Sequence, residues 1–239
     1  MKLMFLFCCL FVIVSSCDYI GGKRIHGNGN KVAQSRNTGK FNSLDVSGAI
    51  DVYVKQDSTQ SVKVETDENL QQYVEVYESN GVLVVSPKDN YNLDPSHKIK
   101  VFITAPSFRV IDVSGASTIT AEGKLVSDES LDIDLSGASE AKVDLKAPRI
   151  NAEVTGASSI TLTGETKDLN VVGSGASGAK CFDLMTENTT VDVSGASSAE
   201  VFASVKLDAQ ASGASEIKYR GNPAITQDMS GASSIRKVD

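Results

Sequence analysis

The chain has 239 residues, a formal net charge of −7, no tryptophan and an aromatic fraction of 6%. This acidic balance argues against nucleic acid as a partner, because nucleic-acid interfaces are built from clustered lysine and arginine. With only two histidines, His26 and His97, and four cysteines, the sequence offers little for a Ser-His-Asp triad, a cysteine-based metal site or a disulfide scaffold.

The first predicted element is a signal peptide, residues 1–16. Lys2 supplies a positive end, and residues 3–14 form an apolar run that is too short to span a bilayer comfortably. The tetrapeptide that follows, Val-Ser-Ser-Cys, matches the bacterial lipobox, in which the cysteine becomes the lipidated first residue of the mature protein. We therefore predict Cys17 as the lipidation site; the alternative is an ordinary signal peptide with an incidental cysteine.

Residues 17–40 are predicted to be the lipidated cysteine followed by a flexible tether. This stretch is rich in Gly, Asn, Lys and Arg and has few apolar residues. It would lift the folded part off the membrane, which the protein contacts through its lipid. We predict a location in the envelope of a Gram-negative bacterium, at the outer membrane, and the sequence leaves the periplasmic and surface-facing orientations open.

Residues 41–110 are predicted to form an N-terminal β module that caps the remainder. Several short stretches alternate between apolar and polar residues, and Ser79-Asn80-Gly81 is a hairpin signal between two of them. Residues 67–72 have the pattern of a short helical turn, with Asp67 as its possible N-cap.

Residues 111–239 repeat the phrase Ser-Gly-Ala-Ser at intervals of 18–22 residues. An earlier copy lies in the N-terminal module. The central glycines of all copies are Gly48, Gly115, Gly137, Gly156, Gly175, Gly195, Gly213 and Gly231. On both sides of each glycine, apolar and polar residues alternate, a pattern that indicates strand, turn and strand with one face buried.

One such unit is too small to enclose a core, but stacked units bury a continuous apolar column. The sequence therefore predicts an all-β protein, a right-handed parallel β-helix (β-solenoid) with coils of about 18–22 residues. Cys181 falls on a core position of this pattern, which favours a small buried hydrophobic residue over a reactive thiol.

Outward-facing acids recur three residues before the glycines, and Asp112, Asp134 and Glu153 would lie on consecutive coils. Such a row is a candidate site for Ca²⁺ or another hard cation. The alternative, which we favour, is a solvated row of carboxylates that accept hydrogen bonds. No cofactor and no catalytic residue are predicted.

Two parts of the chain resemble a known family. The C-terminal part of this chain reads Tyr219-Arg220-Gly221-Asn222-Pro223 before the last repeat. The N-terminal part of this chain reads Phe41-x-x-Leu44-x-Val46-Ser47-Gly48-Ala49-Ile50-x-Val52, then Val64-Glu65-Thr66-Asp67-Glu68-Asn69-Leu70, a hairpin, and Val101-x-Ile103-x-Ala105-Pro106. This combination is similar to the putative auto-transporter adhesin, head GIN domain family. The resemblance implies a β-helical fold and an envelope lipoprotein, and it brings no catalytic residues. The Gly-Ile-Asn tripeptide of the family's name does not occur here.

We therefore expect a non-enzymatic lipoprotein that presents a β-helix for adhesion or recognition of a glycan or protein ligand. A polysaccharide-binding or polysaccharide-active β-helix is the second hypothesis, ranked lower because the shallow surface, rich in Ser, Thr and Ala, shows no evident aromatic platform and no paired acids. A periplasmic structural or signalling role is the third. The sequence leaves the oligomeric state open.

Overall fold

The computed structural model describes residues 22–239. The predicted signal peptide and the predicted lipidation site, Cys17, lie outside the described residues. Within the described part, the N-terminal strands are β1 (Lys23–His26), β2 (Lys31–Arg36), β3 (Ser43–Val46), β4 (Ile50–Gln56), β5 (Ser61–Asp67), β6 (Val74–Ser79), β7 (Val82–Pro87), β8 (Tyr91–Asp94) and β9 (Ile99–Ala105), with a 3-10 helix at Glu68–Tyr73.

The repeat region forms a further series of strands. They are β10 (Val110–Val113), β11 (Thr118–Val126), β12 (Leu131–Leu135), β13 (Glu140–Val154), β14 (Ser159–Gly173), β15 (Gly178–Cys181), β16 (Leu184–Val193), β17 (Ser198–Phe202), β18 (Lys206–Ala211), β19 (Glu216–Arg220), β20 (Ala224–Met229) and β21 (Ser234–Lys237).

Equivalent strands of successive repeats pair in parallel and in register, which confirms the predicted β-solenoid. On the strand before the glycine, Ile111 pairs with Ile133, which pairs in turn with Ala152. On the strand after it, Ile119 pairs with Ala141 and Ala141 with Ile160. All of these side chains are buried. We call the sheet before the glycine corner the first sheet and the sheet after it the second sheet.

The glycines stack at the corner where the chain passes from the first sheet to the second. The Ala116 N–H donates to the Gly48 carbonyl at 2.6 Å, and the Ala138 N–H donates to Gly115 at 2.7 Å. All eight glycines have positive φ. Each later one also lies so close to the glycine before it that a Cβ atom would reach that residue's carbonyl oxygen, at 2.4 Å for Gly115 on Gly48. Glycine is therefore required both by the left-handed backbone and by the close approach of the coils.

The N-terminal strands continue the solenoid. β3 pairs in parallel with β10 on one side and with β7 on the other, and β4 pairs likewise with β11 and β9. After β3 and β4, which form the first coil, the chain thus forms β7 and β9 on one side of this coil and then β10 and β11 on its other side. Strand pairing continues across the predicted boundary between residues 110 and 111.

Antiparallel strands close this end of the solenoid. β5 pairs antiparallel with β9, β2 pairs antiparallel with β5, and β6 pairs antiparallel with β7 through the predicted hairpin, where Asn80 and Gly81 have positive φ. Leu70 of the 3-10 helix is fully buried at this end.

The prediction of a flexible tether over residues 17–40 is wrong for the part that the structure describes. Residues 23–26 form β1, which pairs in parallel with β8, and residues 31–36 form β2 at the outer edge of the antiparallel layer. Their polar composition reflects an edge position, where exposed charged residues discourage pairing with other chains. Lys31, for example, forms an ion pair with Glu65 on the neighbouring strand at 2.7 Å.

Asp67 precedes the 3-10 helix as predicted, but its side chain makes no capping hydrogen bond. It instead accepts from the N–H groups of Gly29, Ser96 and His97 at 2.8–3.1 Å. The carboxylate is fully buried. Asp67 therefore joins the β1–β2 turn to the segment before β9, a role set by tertiary contacts.

The core is a narrow column of Val, Ile, Leu and Ala that runs the length of the described solenoid. Cys181 belongs to this column and is fully buried, as predicted. Its burial raises the pKa of the thiol to about 12, so the group is protonated and unreactive at neutral pH.

Candidate ligand-binding surfaces of the solenoid

The predicted acidic row is present on the outer side of the first sheet. Asp112 pairs in register with Asp45 on one neighbouring strand and with Asp134 on the other, and Asp134 pairs with Glu153. The row is then interrupted by Val172, which pairs with Glu153. Partial burial, and then the neighbouring carboxylates, raise the pKa of Asp112 and of Asp134.

Between residues 22 and 239, no group of three or more His, Cys, Asp or Glu side chains is arranged to hold a metal ion. The row supplies one carboxylate per coil from one face, whereas Ca²⁺ takes six to eight oxygen ligands that surround it.

Amide side chains lie beside this row. Asn151 donates to Asp132 at 2.6 Å, and Asn188 donates to Asp168 at 2.9 Å. Arg149 also forms an ion pair with Asp168 at 3.3 Å. Arg149, Asn151, Asp168 and Asn188 line a shallow polar groove of about 340 Å³. Its hydrogen-bonding groups are largely paired with one another across the coils, which stabilises the stack.

The second sheet carries a different surface at its N-terminal end, which we call the aromatic–lysine patch: Tyr53, Lys63, Lys100 and Phe102. The rings of Tyr53 and Phe102 lie on neighbouring strands and stack with centroids 5.1 Å apart and planes inclined by 16°. The Lys63 ammonium lies 4.7 Å from the centroid of Phe102, and that of Lys100 lies 5.8 Å from the centroid of Tyr53. These distances are within the range of cation–π attraction.

The two lysines of the patch differ from their neighbours in their charge partners. Lys98 pairs with Asp51 at 3.2 Å and Lys31 pairs with Glu65, whereas Lys63 and Lys100 have no carboxylate within ion-pair distance in the described part of the chain. The patch therefore combines an aromatic surface with two ammonium groups that lie beyond ion-pair distance of the described carboxylates, although both are near enough to Glu65 to add to the lowering of its pKa by the hydrogen bond from Lys31.

Sequence reasoning missed this patch, and the expectation that the surface offers no aromatic platform is wrong for the N-terminal module. The signal was present, since Tyr53 lies between Val52 and Val54 and Phe102 lies between Val101 and Ile103, so both rings fall on outward positions. Their pairing was not readable, because β4 follows the first repeat glycine whereas β9 lies outside the repeat.

The corner opposite the glycines forms a groove of about 400 Å³ between residues 126 and 187. Val126 on one wall is 47% exposed, and nearby Met185 is 50% exposed. Lys146 and Glu165 form an ion pair across the groove at 2.8 Å. The groove is open to solvent and contains no histidine, so no base of that type is poised there.

In the part of the chain that the structure describes, neither histidine is arranged in a catalytic triad. His26 contacts Asp94 at 2.6 Å and His97 contacts the buried Asp67 at 3.2 Å. Among the hydrogen bonds of residues 22–239, no serine hydroxyl bonds to either ring. Both contacts join the N-terminal strands to the segment around β8. In the same part of the chain, no helix is long and apolar enough to cross a membrane.

The stacked parallel coils and their open outer faces define a β-solenoid that offers extended surfaces. Residues 40–223 match the family described as Putative auto-transporter adhesin, head GIN domain, and the chain belongs to this family. An adhesin-like protein of the bacterial envelope or surface follows from that membership. No curated protein matches the chain.

Three solved structures illustrate the shared fold. A putative adhesin from Bacteroides fragilis NCTC 9343 has a TM-score of 0.80 at 19% identity, and a putative adhesin from Parabacteroides distasonis ATCC 8503 has 0.75 at 24%; each alignment covers 90% of this chain and 100% of the other. A putative lipid binding protein from Parabacteroides distasonis ATCC 8503 has a TM-score of 0.74 at 21% identity and covers 91% of this chain and 100% of its own. At these identities the likeness concerns the fold alone.

Proposed function

We propose that the protein is a non-enzymatic lipoprotein, anchored in the outer membrane through Cys17, that recognises an extended glycan or protein ligand on the outer side of its second sheet. The observation that carries the proposal is the aromatic–lysine patch, in which a stacked Tyr53–Phe102 pair is flanked by Lys63 and Lys100. Family membership supports a role of the adhesin kind.

The chemistry of the patch suits an acidic glycan best. Aromatic surfaces and the methylene stems of lysine contact the apolar C–H faces of sugars, and the ammonium groups pair with carboxylate or sulfate. The solenoid continues this face with threonine and lysine, since Tyr53 is followed on successive strands by Thr120, Lys142, Thr161 and Lys180. An elongated ligand would therefore meet polar groups beyond the patch.

Binding of the full-length protein to a panel of neutral and acidic polysaccharides tests this proposal. We expect the double variant Tyr53→Ala/Phe102→Ala to bind at least about tenfold more weakly, because each aromatic contact contributes on the order of 1 kcal/mol. Met185→Ala, which changes an exposed side chain on a different surface, is the matched control. Equal binding by all three proteins would contradict the proposed site.

The same incubation separates recognition from catalysis. A purely binding protein leaves the polysaccharide intact, whereas new reducing ends or unsaturated products would favour a polysaccharide-active protein.

Replacement of Cys17 by alanine should release the protein from the membrane fraction. External protease on intact cells, with a periplasmic control protein, distinguishes a surface adhesin from a periplasmic structural or signalling protein.

A further inference from the structure

The two ends of the solenoid differ. At the C-terminal end, all six residues of β20 are exposed. Ile225 is 39% exposed and Met229 is 47% exposed, although they pair in register with the buried Leu207 and Ala211 of the previous coil. The end of the apolar column is therefore uncovered within residues 22–239. The N-terminal end, in contrast, is closed by the antiparallel strands and the 3-10 helix.

The last coil also has a free backbone edge. The N–H groups of Ala224 and Ser230 donate to the previous coil at 2.8 and 2.9 Å. Because alternate residues of a strand direct their N–H and C=O groups to opposite sides, Ile225, Gln227 and Met229 direct theirs to the outer edge. In the second sheet, the Ser234 N–H donates to the Ser215 carbonyl of the previous coil at 3.0 Å, so the N–H and C=O groups of Ile235 point to the outer edge.

We propose that this end binds a second copy of the chain, end to end, about a twofold axis that passes through Gln227 and Ile235. Such an axis reverses the strand direction, so β20 pairs antiparallel with β20 of the second copy and β21 with its equivalent. Gln227 lies four residues before Gly231 in the first sheet, and Ile235 lies four residues after it in the second sheet. Both residues are therefore at the same distance from the corner, so a single axis can pass through both. Both are among the residues whose backbone groups point to the outer edge.

The side chains match under this symmetry. Ile225 lies opposite Met229 of the second copy, and Ile235 lies opposite its own equivalent, so the two apolar columns become continuous. Gln227 is exposed in the single chain, although it occupies a core register and pairs with the buried Ala209. Opposite its own equivalent, it can both donate and accept a hydrogen bond, which satisfies the amide and fixes the register.

The asymmetry of the ends also sets the size of the assembly. Head-to-tail stacking would need an open strand edge at both ends and would produce a filament. At the N-terminal end, the outer strands β2 and β6 run antiparallel to the strands that they cover, and β2 carries exposed charged residues that disfavour pairing with another chain. The uncovered end therefore pairs with its equivalent, and the assembly stops at two chains.

Sedimentation equilibrium of the full-length protein in detergent tests the interface. We expect a dimer for the wild type and a monomer for Met229→Asp/Ile235→Asp, because four carboxylates would then face an apolar interface. Met185→Asp, in which a methionine of similar exposure changes at a remote corner, should remain dimeric. A monomeric wild type, or a dimer that survives the double substitution, would overturn the proposal. Circular dichroism verifies that each variant is folded.

Cysteine cross-linking tests the register. At a hydrogen-bonded antiparallel pair the Cα atoms lie about 5.5 Å apart, within disulfide range. Gln227→Cys should therefore give a covalent dimer on mild oxidation, whereas Asp228→Cys, displaced from the axis, should give little more than the wild type. Efficient cross-linking at Asp228→Cys in place of Gln227→Cys would contradict the proposed axis.

Discussion

The corner glycines are the residues on which the stacking depends most directly. In Gly156, φ is +74°, and an added Cβ would lie 2.5 Å from the carbonyl oxygen of Gly137. Gly137 and Gly156 both belong to backbone that hydrogen bonds hold to the neighbouring coils, so neither residue can move away without disturbing the stack.

Gly156→Ala should therefore lower the free energy of unfolding by at least about 2 kcal/mol, from left-handed strain and the clash together. Gly178→Ala is the matched control. Gly178 lies in β15 without a positive φ, and its nearest neighbour would be 3.7 Å from the new Cβ, so the change should be within about 0.5 kcal/mol of zero or stabilising. Urea unfolding of the three proteins measures the difference, and equal losses would contradict the argument.

The acidic row should make stability depend on pH in a particular direction. Because burial and neighbouring carboxylates raise the pKa of Asp134 in the folded protein, its favourable contribution is present below pH 4 and is lost as the pH rises through the folded pKa. Asp134→Asn should thus stabilise the protein at pH 7, by less than about 1 kcal/mol because solvent screens the row, and should have little effect at pH 3.5.

Asp192→Asn is the control for this prediction. Asp192 occupies the same position two coils beyond Glu153, but its neighbours on the adjacent strands are Val172 and Gln210. Unfolding free energies at both pH values should show no comparable gain. A gain of the same size in both variants would mean that carboxylate repulsion is not its cause.

Among the elements, the N-terminal closure depends on Asp67. Burial alone would raise the pKa of this carboxyl, but hydrogen bonds from His97, Gly29 and Ser96 outweigh it, so the pKa lies below its ordinary value. A depressed pKa means stability that is present at neutral pH and is lost as the pH falls below about 4, through the folded pKa.

Asp67→Ala should leave buried N–H groups without a partner and destabilise this closure by about 2–4 kcal/mol. The loss should appear first in β1, β2 and the segment around β8, measured as faster amide hydrogen exchange, while β12 to β18 keep their protection. Uniform loss of protection along the chain would instead indicate one cooperative unit. Ser58→Ala, in an exposed turn of the same layer, is a suitable control.

The repeated elements were predictable from the sequence and the N-terminal ones were predictable only in part. A glycine at a fixed distance from alternating apolar residues specifies both the strands and their register, so Ile111, Ile133 and Ala152 could be aligned in advance. β1 and β2 were missed because edge strands have the composition of a tether. The Tyr53–Phe102 pair was missed because no repeat relates its two strands, and the role of Asp67 depends on contacts that are distant in sequence.

On the scale of the whole molecule, the structure indicates that the N-terminal module and the repeats do not fold independently. β3 and β4 each lie between a strand of the module and a strand of the repeat region. A fragment of residues 111–239 would expose the edge of β11 and the apolar column beneath it.

We expect this fragment to aggregate or to unfold without a sharp transition, whereas residues 22–239 should unfold cooperatively. Size-exclusion chromatography and thermal circular dichroism compare the two. The fragment lacking only residues 224–239 is the control, because each coil contacts mainly its neighbours and loss of the outermost one leaves the others in place. A soluble fragment of residues 111–239 that unfolds cooperatively would contradict this expectation.

Gly48 and Gly115 occupy adjacent levels of the stack although 67 residues separate them in the sequence. Closing so long an excursion adds only about 1 kcal/mol of chain entropy relative to an ordinary coil, because that entropy grows with the logarithm of length. The coils on either side keep their spacing and register. A solenoid of this kind can therefore accept a long insertion in the sequence between two stacked coils, provided that the chain returns at the same corner. The inserted module can then change while the stacked coils keep their arrangement.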